Sequence, residues 1–382
     1  MSHLFPNYAR RPIHLVEGKG TIVTDSNAKS YLDFISGIAV NCLGHSHPAL
    51  IKALGEQSQQ LWHVSNLFES PEQERLSASI LQDTHLSRML FCNSGAEANE
   101  AAMKLARKYT GKHTIITFEH SFHGRTFGAM AATGQEKVKQ GFGPMLPSFV
   151  TVPFNDPDSL AEAVTDEVAA IMLEVIQGEG GVNEITSDFA KVITDICHDK
   201  GILLIVDEVQ TGIGRTGTRF AYEQTLLKPD ILTLAKGLGG GFPIGVMAGT
   251  AKLADVFGPG THGTTFGGNP LAVRVAQAVV DHIFDPVFLD EVNMKSVYLL
   301  KRLEEAFQET SFQLKGRGLL VGIECGNDVA PLIEELQERG LLVVQAGQTV
   351  IRLLPPLTVS IEEIEEAVDI LGSVLIKKAI LS

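Results

Sequence analysis

From about residue 47 to residue 250, the sequence alternates short apolar, β-branched runs with longer segments whose apolar residues recur at helical spacing. Such runs form buried strands, and a helix between consecutive strands brings them back parallel in one sheet. The alternation predicts an α/β fold in which helices cover a mostly parallel, seven-stranded sheet. The predicted strands are MLFC at 89–92, TIITF at 114–118, FVTVPF at 149–154, AAIMLEVI at 169–176, ILLIVDEV at 202–209, ILTLAK at 231–236 and GVMAG at 245–249.

Beyond Pro270 the pattern indicates a smaller α+β unit. Long helical segments come first, and strands around GLLVGIE and VVQAGQTVIRLLPP follow, separated and closed by helical segments. We therefore divide the chain into a large domain (47–270), a C-terminal small domain (271–382) and an N-terminal segment (1–46) that contributes to the small domain. Because no Pro/Ser-rich linker separates them, we expect the domains to share an extensive interface.

Charge and cysteine usage restrict the compartment and the partners. The 382 residues include 31 lysines and arginines against 45 aspartates and glutamates, a formal net charge of −14, which disfavours binding to nucleic acid. The four cysteines form no C-x-x-C pair, as is usual for buried thiols in a reducing compartment. No apolar run has the length of a signal peptide or a membrane span. We expect a cytoplasmic protein with no membrane or nucleic-acid partner.

The segment RMLFCNSGAEANEAAMKLARKYTG combines a strand, a small turn at Ser94 and Gly95, and a helix. Free backbone N–H groups gather at such a helix start, and Gly95 allows close approach, so the turn can bind a phosphate. The alternative is that Ser94 and Glu97 only form a capping box.

The run ILLIVDEVQTG ends a buried strand in carboxylates, which places Asp207 at the crevice where ligands bind in open α/β sheets. Asp207 could instead cap a helix or be solvated. A magnesium-binding nucleotide triphosphatase would also need G-x-x-x-x-G-K-[ST], a string that the sequence lacks.

Two further motifs allow other readings. Gly212, Gly214 and Gly217 in GIGRTG satisfy the dinucleotide-binding pattern G-x-G-x-x-G, but Asp230 starts a strand where the ribose-binding acid should end one. Histidines also occur in local pairs that could suggest a metal site, but no H-E-x-x-H or cysteine pair completes a ligand set. These histidines are His45 with His47 and His120 with His123.

Lys236 ends another apolar strand, in ILTLAKGLGGGFPIG, ahead of three consecutive glycines. Apolar surroundings favour the neutral amine, which can act as a Schiff-base nucleophile, although a lysine leaving a strand can also simply extend to solvent. A phosphate seat, a strand-end carboxylate and a strand-end lysine are together the parts that a pyridoxal phosphate site requires.

At these positions the sequence resembles class III (ornithine-type) pyridoxal-phosphate aminotransferases of fold type I. The resemblance covers nearly the whole chain. It rests on YLDFISGIAVNCLGHSHP, LWHVSNLFE, NSGAEANEAAMKLARKY, SFHGRTFGAMAATGQ, LEVIQGEGGV, LLIVDEVQTGIGRTG, the Lys236 segment, HGTTFGGNP and IRLLPPL.

The resemblance implies a role for each matching residue around pyridoxal 5'-phosphate. Lys236 would condense with the cofactor aldehyde, and Asp207 would pair with the ring nitrogen. It further implies a homodimer with shared active sites, because Thr265 would reach the neighbouring subunit's phosphate. The other cofactor contacts would be the phosphate (Ser94, Gly95 and Ala96), the two ring faces (Phe122 and Val209) and the 3′ oxygen (Gln210).

Two arginines match positions that bind substrate carboxylates in the family, since a guanidinium binds carboxylate in bidentate fashion. Arg125 would hold the donor's α-carboxylate and the glutamate side chain, and Arg352 the α-carboxylate of glutamate. Glu179 would pair with Arg352 until a dicarboxylate displaces it. Taken alone, either arginine could instead form a surface ion pair. Gly37 stands where ornithine-preferring relatives carry tyrosine, which favours an acylated donor.

The implied activity is transamination of N2-acetylornithine with 2-oxoglutarate, giving N-acetylglutamate 5-semialdehyde and glutamate, as in arginine biosynthesis. Succinylornithine, ornithine and 4-aminobutyrate remain open as donors. The non-enzymatic alternative is a regulatory protein that only binds the cofactor, but the presence of Arg125 and Arg352 beside Lys236 argues against it.

Overall fold

The computed structural model describes residues 3–379. Its strands are β1 (Leu15–Lys19), β2 (Ile22–Asp25), β3 (Ser30–Asp33), β4 (Arg88–Cys92), β5 (Thr114–Phe118), β6 (Phe149–Val152), β7 (Val168–Leu173), β8 (Ile176–Gln177), β9 (Asn183–Glu184), β10 (Leu203–Asp207), β11 (Ile231–Leu234), β12 (Gly245–Gly249), β13 (Gln313–Arg317), β14 (Leu320–Glu324), β15 (Leu341–Leu342), β16 (Val344–Ala346) and β17 (Val350–Leu353). Its helices are α1 (Ser36–Ala39), α2 (Pro48–Ser58), α3 (Pro71–Leu81), α4 (Gly95–Thr110), α5 (Phe127–Ala132), α6 (Glu136–Lys139), α7 (Pro157–Ala163), α8 (Ser187–Lys200), α9 (Pro270–Ile283), α10 (Pro286–Phe307), α11 (Ala330–Glu338) and α12 (Ile361–Ala379).

The central sheet confirms the predicted α/β fold. Its seven strands run in the order β4-β12-β11-β10-β7-β5-β6, and each of them overlaps one of the predicted runs. The pairings among β11, β10, β7, β5 and β6 are parallel, and β12 is antiparallel to both of its neighbours. Every residue of β7, β10 and β11 is buried, which explains why these strands read as continuous apolar runs.

Helices cover both faces of this sheet. Leu203 and Ile205 of β10 pack in the cluster formed with the alanine-rich α4, whereas Leu204 and Val206 join the larger core on the opposite face. This alternation follows from the two-residue period of a strand. Since α4 begins directly after β4, the helix carries its N-terminus to the carboxyl edge of the sheet.

The other strands form two smaller four-stranded sheets and the two-stranded pair β8–β9. One is antiparallel, in the order β13-β14-β17-β16. The other has the order β1-β2-β3-β15, and its parallel β3–β15 pairing joins the N-terminal strands to residues Leu341–Leu342. The N-terminal hairpin strands, β13 and β15 were not among the predicted elements.

The glycine loop GIGRTG joins the central sheet to the C-terminal part of the chain. The fully buried Arg215 donates hydrogen bonds to the carbonyls of Leu319 (3.0 Å) and Pro355 (2.6 Å). A Cβ on Gly214 would lie 2.5 Å from Ile283, and one on Gly217 would clash with Asn293. The loop is therefore filled by protein side chains, and only the short 3₁₀ turn Ala221–Gln224 follows it. It lacks the helix that a dinucleotide site requires.

Candidate active site

A cavity of about 440 Å³ lies at the carboxyl edge of the central sheet. Asp207 is the last residue of β10, Glu174 directly follows β7, and Lys236 lies two residues beyond β11. Strand ends of this kind are where open α/β sheets bind ligands. The predicted site residues that line the cavity are Ser94, Gly95, Ala96, Phe122, Arg125, Glu179, Asp207, Val209, Gln210 and Lys236.

Asp207 is fixed by hydrogen bonds from three directions. Its Oδ2 accepts a hydrogen bond from Asn99 Nδ2 at 2.8 Å and lies at the same distance, 2.8 Å, from His123 Nδ1. Its Oδ1 accepts from the backbone N–H of Val209 at 3.0 Å. Asn99 is oriented in turn, since its Oδ1 accepts from the Thr233 hydroxyl at 2.7 Å. The carboxylate therefore has one orientation at the cavity wall.

The groups around Asp207 form a buried charge cluster. Burial acts to lower the pKa of His123, but the hydrogen bond and the negative charge of Asp207 outweigh it, so this pKa lies above its ordinary value. Burial raises the pKa of Glu174 to about 8. Glu174 accepts the backbone N–H of Phe122 at 3.0 Å, which ties β7 to the segment that carries His123.

Lys236 occupies the floor of the cavity in a strained conformation. Its φ is +39°, an uncommon value for a residue with a Cβ, and it starts the 3₁₀ turn Lys236–Gly239. Within residues 3–379, no acceptor binds Nζ. Burial lowers the pKa of Lys236, and the positive charge of Arg352 adds to this effect, while Glu179, Asp207 and Glu174 oppose it. A lowered pKa favours the neutral amine, the nucleophilic form.

The start of α4 leaves a set of donors free. The Ser94 hydroxyl accepts the N–H of Glu97 at 3.2 Å, which is half of the capping box considered as an alternative. The Glu97 carboxylate accepts the N–H of Asn93 at 2.5 Å, one residue before the N–H that a complete capping box would use. The backbone N–H groups of residues 94–96 therefore have no acceptor within the described part of the chain.

Gly95 has a packing reason to be glycine. A Cβ at this position would lie 2.7 Å from Cγ1 of Val209, so the missing side chain lets the loop after β10 approach the start of α4. Val209 thereby lines the cavity, as does the partly buried Phe122.

Arg352 lies on β17, fully buried behind the cavity. Its NH1 donates hydrogen bonds to Gly178 O (2.6 Å), Glu179 Oε1 (2.8 Å) and Gln210 Oε1 (2.9 Å). Its Nε and NH2 have no partner in the described chain. Burial acts to raise the pKa of Glu179, but the charge and hydrogen bond of Arg352 outweigh it, and this pKa lies below its usual value.

Arg125 contrasts with Arg352 because it is exposed and unpaired. Its guanidinium carbon lies 5.7 Å from the centroid of the Phe122 ring. It forms no hydrogen bond or ion pair with any residue from 3 to 379. Arg125 is therefore a free cation at the mouth of the cavity.

Two predicted site residues lie outside the cavity lining, as Arg352 does. Thr265 is exposed, in a loop where Asn66 Nδ2 donates to the carbonyl of Gly267 at 2.9 Å. Gly37 is exposed in α1 with φ +66° and ψ 28°. A side chain there would meet Val40, which does line the cavity.

The positions of Asn99, His123 and Glu174 around Asp207 were not predicted from the sequence. His123 was considered only as a possible metal ligand, yet it contacts Asp207 and not His120. In the described residues, no group of three or more His, Cys, Asp or Glu side chains could hold a metal ion. The available signal was positional, because Asn99 follows Ser94 by somewhat more than one helical turn and Glu174 directly follows a strand.

Comparisons with known proteins agree on one family. The model of the family "Aminotransferase class-III" matches residues 5–375. An acetylornithine aminotransferase of Bacillus cereus is 53% identical over 379 residues, which are 99% of this chain and 98% of that protein.

Solved structures have the same fold. An ornithine aminotransferase from Toxoplasma gondii has a TM-score of 0.94 at 33% identity, covering 100% of this chain and 94% of that one. An N-acetylornithine aminotransferase from Stenotrophomonas maltophilia has a TM-score of 0.84 at 36% identity, with 98% of both chains covered.

The fold and the comparisons define an enzyme that depends on pyridoxal 5'-phosphate. More particularly, the chain belongs to the class-III aminotransferases. The residues present fit the cofactor. An amine without a partner suits its aldehyde, free N–H groups at a helix start suit its phosphate, and a buried carboxylate suits its ring nitrogen.

Proposed function

We propose that this aminotransferase moves the terminal amino group of N2-acetylornithine to 2-oxoglutarate, the reaction of arginine biosynthesis. The observation that carries the proposal is the contrast between two arginines near Lys236: Arg125 lines the same cavity and is open, whereas Arg352, whose charge acts on Lys236, is already paired with Glu179 at 2.8 Å. Relatives named acetylornithine aminotransferase, 49–56% identical over nearly their whole length, support this donor.

When bound, the cofactor provides an electron sink for the negative charge that develops on the substrate carbon. In the proposed arrangement Asp207 faces the ring nitrogen and keeps it protonated, with Asn99 and His123 holding the carboxylate in place. Ser94, Gly95 and Ala96 would donate their N–H groups to the phosphate. Lys236 would hold the cofactor by its aldehyde and, as a free amine during turnover, would move the proton to and from the substrate carbon.

The contacts of Glu179 suit a switch between the two substrates. With acetylornithine bound, the Glu179–Arg352 pair stays closed, so no unpaired cation faces the neutral acetamido group. With glutamate or 2-oxoglutarate, the α-carboxylate replaces Glu179 on Arg352, where the unpartnered Nε and NH2 offer further donors. Arg125 binds the remaining carboxylate of either substrate. Gly37 and its neighbour Val40 leave room for the acetyl group.

We also propose a cytoplasmic homodimer in which each subunit completes the other's site. Thr265 is exposed beside a set of apolar side chains that single-chain folding leaves open, and such a surface marks an interface. Thr265 would then reach the phosphate of the second copy, as a symmetric dimer allows. The exposed apolar residues, 56–90% accessible, are Leu61, Trp62, Leu67, Phe68 and Phe266.

Two further parts of the proposal concern compartment and domains. All four cysteines are free thiols, which suits a reducing cytoplasm. Within residues 3–379, no helix is both long and apolar enough to span a bilayer. The β3–β15 pairing supports a small domain made of residues 1–46 and 271–382 around a large domain of 47–270.

The test is to purify the protein with pyridoxal 5'-phosphate and follow the half-reaction spectrally with acetylornithine, succinylornithine, ornithine and 4-aminobutyrate. We expect the highest kcat/KM with acetylornithine. Adding 2-oxoglutarate should then convert the cofactor amine back to the aldehyde. Faster reaction with another donor would reassign the substrate, and binding without reaction would indicate a regulatory protein.

The role of Lys236 is tested by Lys236→Arg, which we expect to lower turnover roughly a thousandfold or more because the guanidinium cannot condense with the aldehyde or carry the proton. Lys228→Arg, at an exposed lysine of the same region, is the matched control. Unchanged turnover in Lys236→Arg would refute the proposal.

A further inference from the structure

The position of Arg125 is set by its neighbours in the chain, because its own side chain has no hydrogen-bonding or ionic partner in residues 3–379. A guanidinium on a long side chain is only useful as a carboxylate clamp if its backbone is held in one place. The residues on both sides of Arg125 are in fact anchored, and both anchors are on α4.

The first anchor lies before Arg125. Asn99 Nδ2 donates to the carbonyl of His123 at 2.8 Å. Gly124, at φ +138°, lies so close to α4 that a Cβ on it would come within 2.8 Å of the Ala96 Cβ. This contact serves Asp207 as well, since Asn99 binds both groups.

The second anchor lies after Arg125 and consists of Glu100. Its Oε1 accepts the Thr126 hydroxyl at 2.5 Å and the backbone N–H of Ala129 at 3.0 Å. Its other oxygen lies against Gly128, where a Cβ would come within 2.3 Å of Oε2. Residue 128 therefore has to be glycine for the carboxylate to reach this turn.

Glu100 caps the N-terminus of α5 in place of that helix's own N-cap residue. Thr126 precedes α5 as its N-cap, but its side chain makes no capping hydrogen bond. An N-cap side chain usually accepts the N–H of the residue three positions later, which here is Ala129. That N–H is instead accepted by Glu100, which lies on the neighbouring helix α4. The short α5 and the turn that carries Arg125 are thus tied to α4 by one carboxylate.

We propose that Glu100 is a positioning residue for substrate binding: it fixes the backbone of Arg125 so that the guanidinium meets the substrate carboxylate. The inference rests on the proposed function of Arg125 as that clamp. Glu100 acts through the backbone, because no ion pair joins it to Arg125 in the described chain, and the guanidinium stays available. One helical turn of α4 then organises the phosphate seat, Asp207 and the substrate clamp together.

The experiment is a double-mutant cycle on the holoenzyme with Glu100→Ala, Arg125→Ala and the double variant. We expect Glu100→Ala to lower kcat/KM for acetylornithine roughly tenfold, mainly through a higher KM, because the two hydrogen bonds that Glu100 accepts are lost. The double variant should be no worse than Arg125→Ala alone, because Glu100 has no other route to the substrate. The cofactor absorption spectrum should stay that of the wild type.

Matched variants separate positioning from general stability. Glu100→Gln keeps an oxygen for Thr126 and Ala129 and should recover most of the lost kcat/KM. Glu304→Ala removes an exposed glutamate from the long helix α10 and serves as the control. The inference would be overturned by any of three results: losses of kcat/KM that add in the double variant, a loss that appears only in kcat, or a Glu100→Gln variant that does not recover kcat/KM.

Failure of the proposed donor is a distinct outcome. If the wild type does not react with acetylornithine, the same cycle is measured with glutamate, whose side-chain carboxylate also meets Arg125. Non-additive losses with glutamate would uphold the role of Glu100 while the donor is reassigned, and additive losses would refute it.

Discussion

The floor and the rim of the cavity differ in how far a single chain completes them. At the floor, most buried polar groups bond to one another, as when Asn99 and His123 both contact Asp207, while Lys236 Nζ and His123 Nε2 have no partner in residues 3–379. At the rim, Arg125 has no hydrogen-bonding or ionic partner in residues 3–379, and the apolar side chains around Thr265 are open to solvent. The floor comprises Asn99, His123, Glu174, Asp207 and Lys236. By the rim we mean Arg125 together with an exposed surface outside the cavity lining, formed by Thr265, Leu67, Phe68 and Phe266.

In the proposed function, this difference separates the residues that handle the cofactor from those that select the substrate. Groups that handle the cofactor work best when they are fixed and shielded from water, because a low dielectric strengthens their interactions and no reorganisation is needed during reaction. Groups that select the substrate must stay accessible until it arrives. The exception is Arg352, the second proposed substrate clamp, which is buried and forms an ion pair with Glu179.

After Lys236→Arg, the largest effect is expected from breaking the floor with Asp207→Asn. The amide has the same shape but no charge to keep the ring nitrogen protonated, so we expect kcat to fall roughly a hundredfold or more. Steady-state kinetics with glutamate checks this. Asp230→Asn is the matched control at the opposite end of β10, where Asp230 accepts the N–H of Leu204. Comparable losses in both variants would show that the charge of Asp207 has no special role.

An intermediate effect is expected at the rim from Leu67→Asp. Leu67 is 90% exposed, and burying a leucine against a second copy would contribute roughly 2 kcal/mol per subunit. We expect the variant to sediment as a monomer and to lose about tenfold or more of its activity, since Thr265 of the second copy would be missing.

Leu226→Asp, at a 58% exposed leucine elsewhere on the surface, is the control for Leu67→Asp. A wild type that sediments as a monomer with full activity, or a Leu67→Asp dimer, would contradict the proposed interface.

The smallest effect concerns how the contribution of His123 to the free energy of unfolding depends on pH. Because the pKa of His123 is raised in the folded chain, its pairing stabilises the fold fully below about pH 6.5, the ordinary histidine value. This contribution is lost as the pH rises through the raised pKa, by up to about 1.4 kcal/mol per pH unit. Urea unfolding of the apoprotein should therefore show a larger gap between the wild type and His123→Gln near pH 6 than near pH 9.

His198→Gln, at an exposed histidine on α8, controls for the loss of a histidine as such. A gap that stays constant or grows with pH would mean that His123 is not charged beside Asp207.

The central fold could be predicted because its signal is local. Each of the predicted runs overlaps one strand of the central sheet. The signal is strongest in β7, β10 and β11, which are buried on both faces and are therefore almost entirely apolar. The N-terminal strands were missed for the opposite reason. β1 is largely exposed and mixed in composition, and β15 has only the residues Leu341–Leu342, so neither has a pattern that differs from a loop.

The site was predictable where chemistry follows a strand end, as for Asp207 and Lys236, or a helix start, as for Ser94. The site was not predictable at residues that position another residue by hydrogen bonding to it. Glu100 lies in a helix whose sequence does not distinguish it from a solvated glutamate, and its partners Thr126 and Ala129 are more than twenty positions away.

The sequence by itself determined the sheet, which side chains lie at its carboxyl edge and the family, because each depends on short patterns of residue type. Only the tertiary structure decided which polar groups are buried together, and therefore that His123 contacts Asp207, that Arg352 is neutralised while Arg125 is free, and that Glu100 caps a helix other than its own. The physical reason is that charge and hydrogen-bonding energies depend on distance and burial in space, and separation along the chain does not specify either.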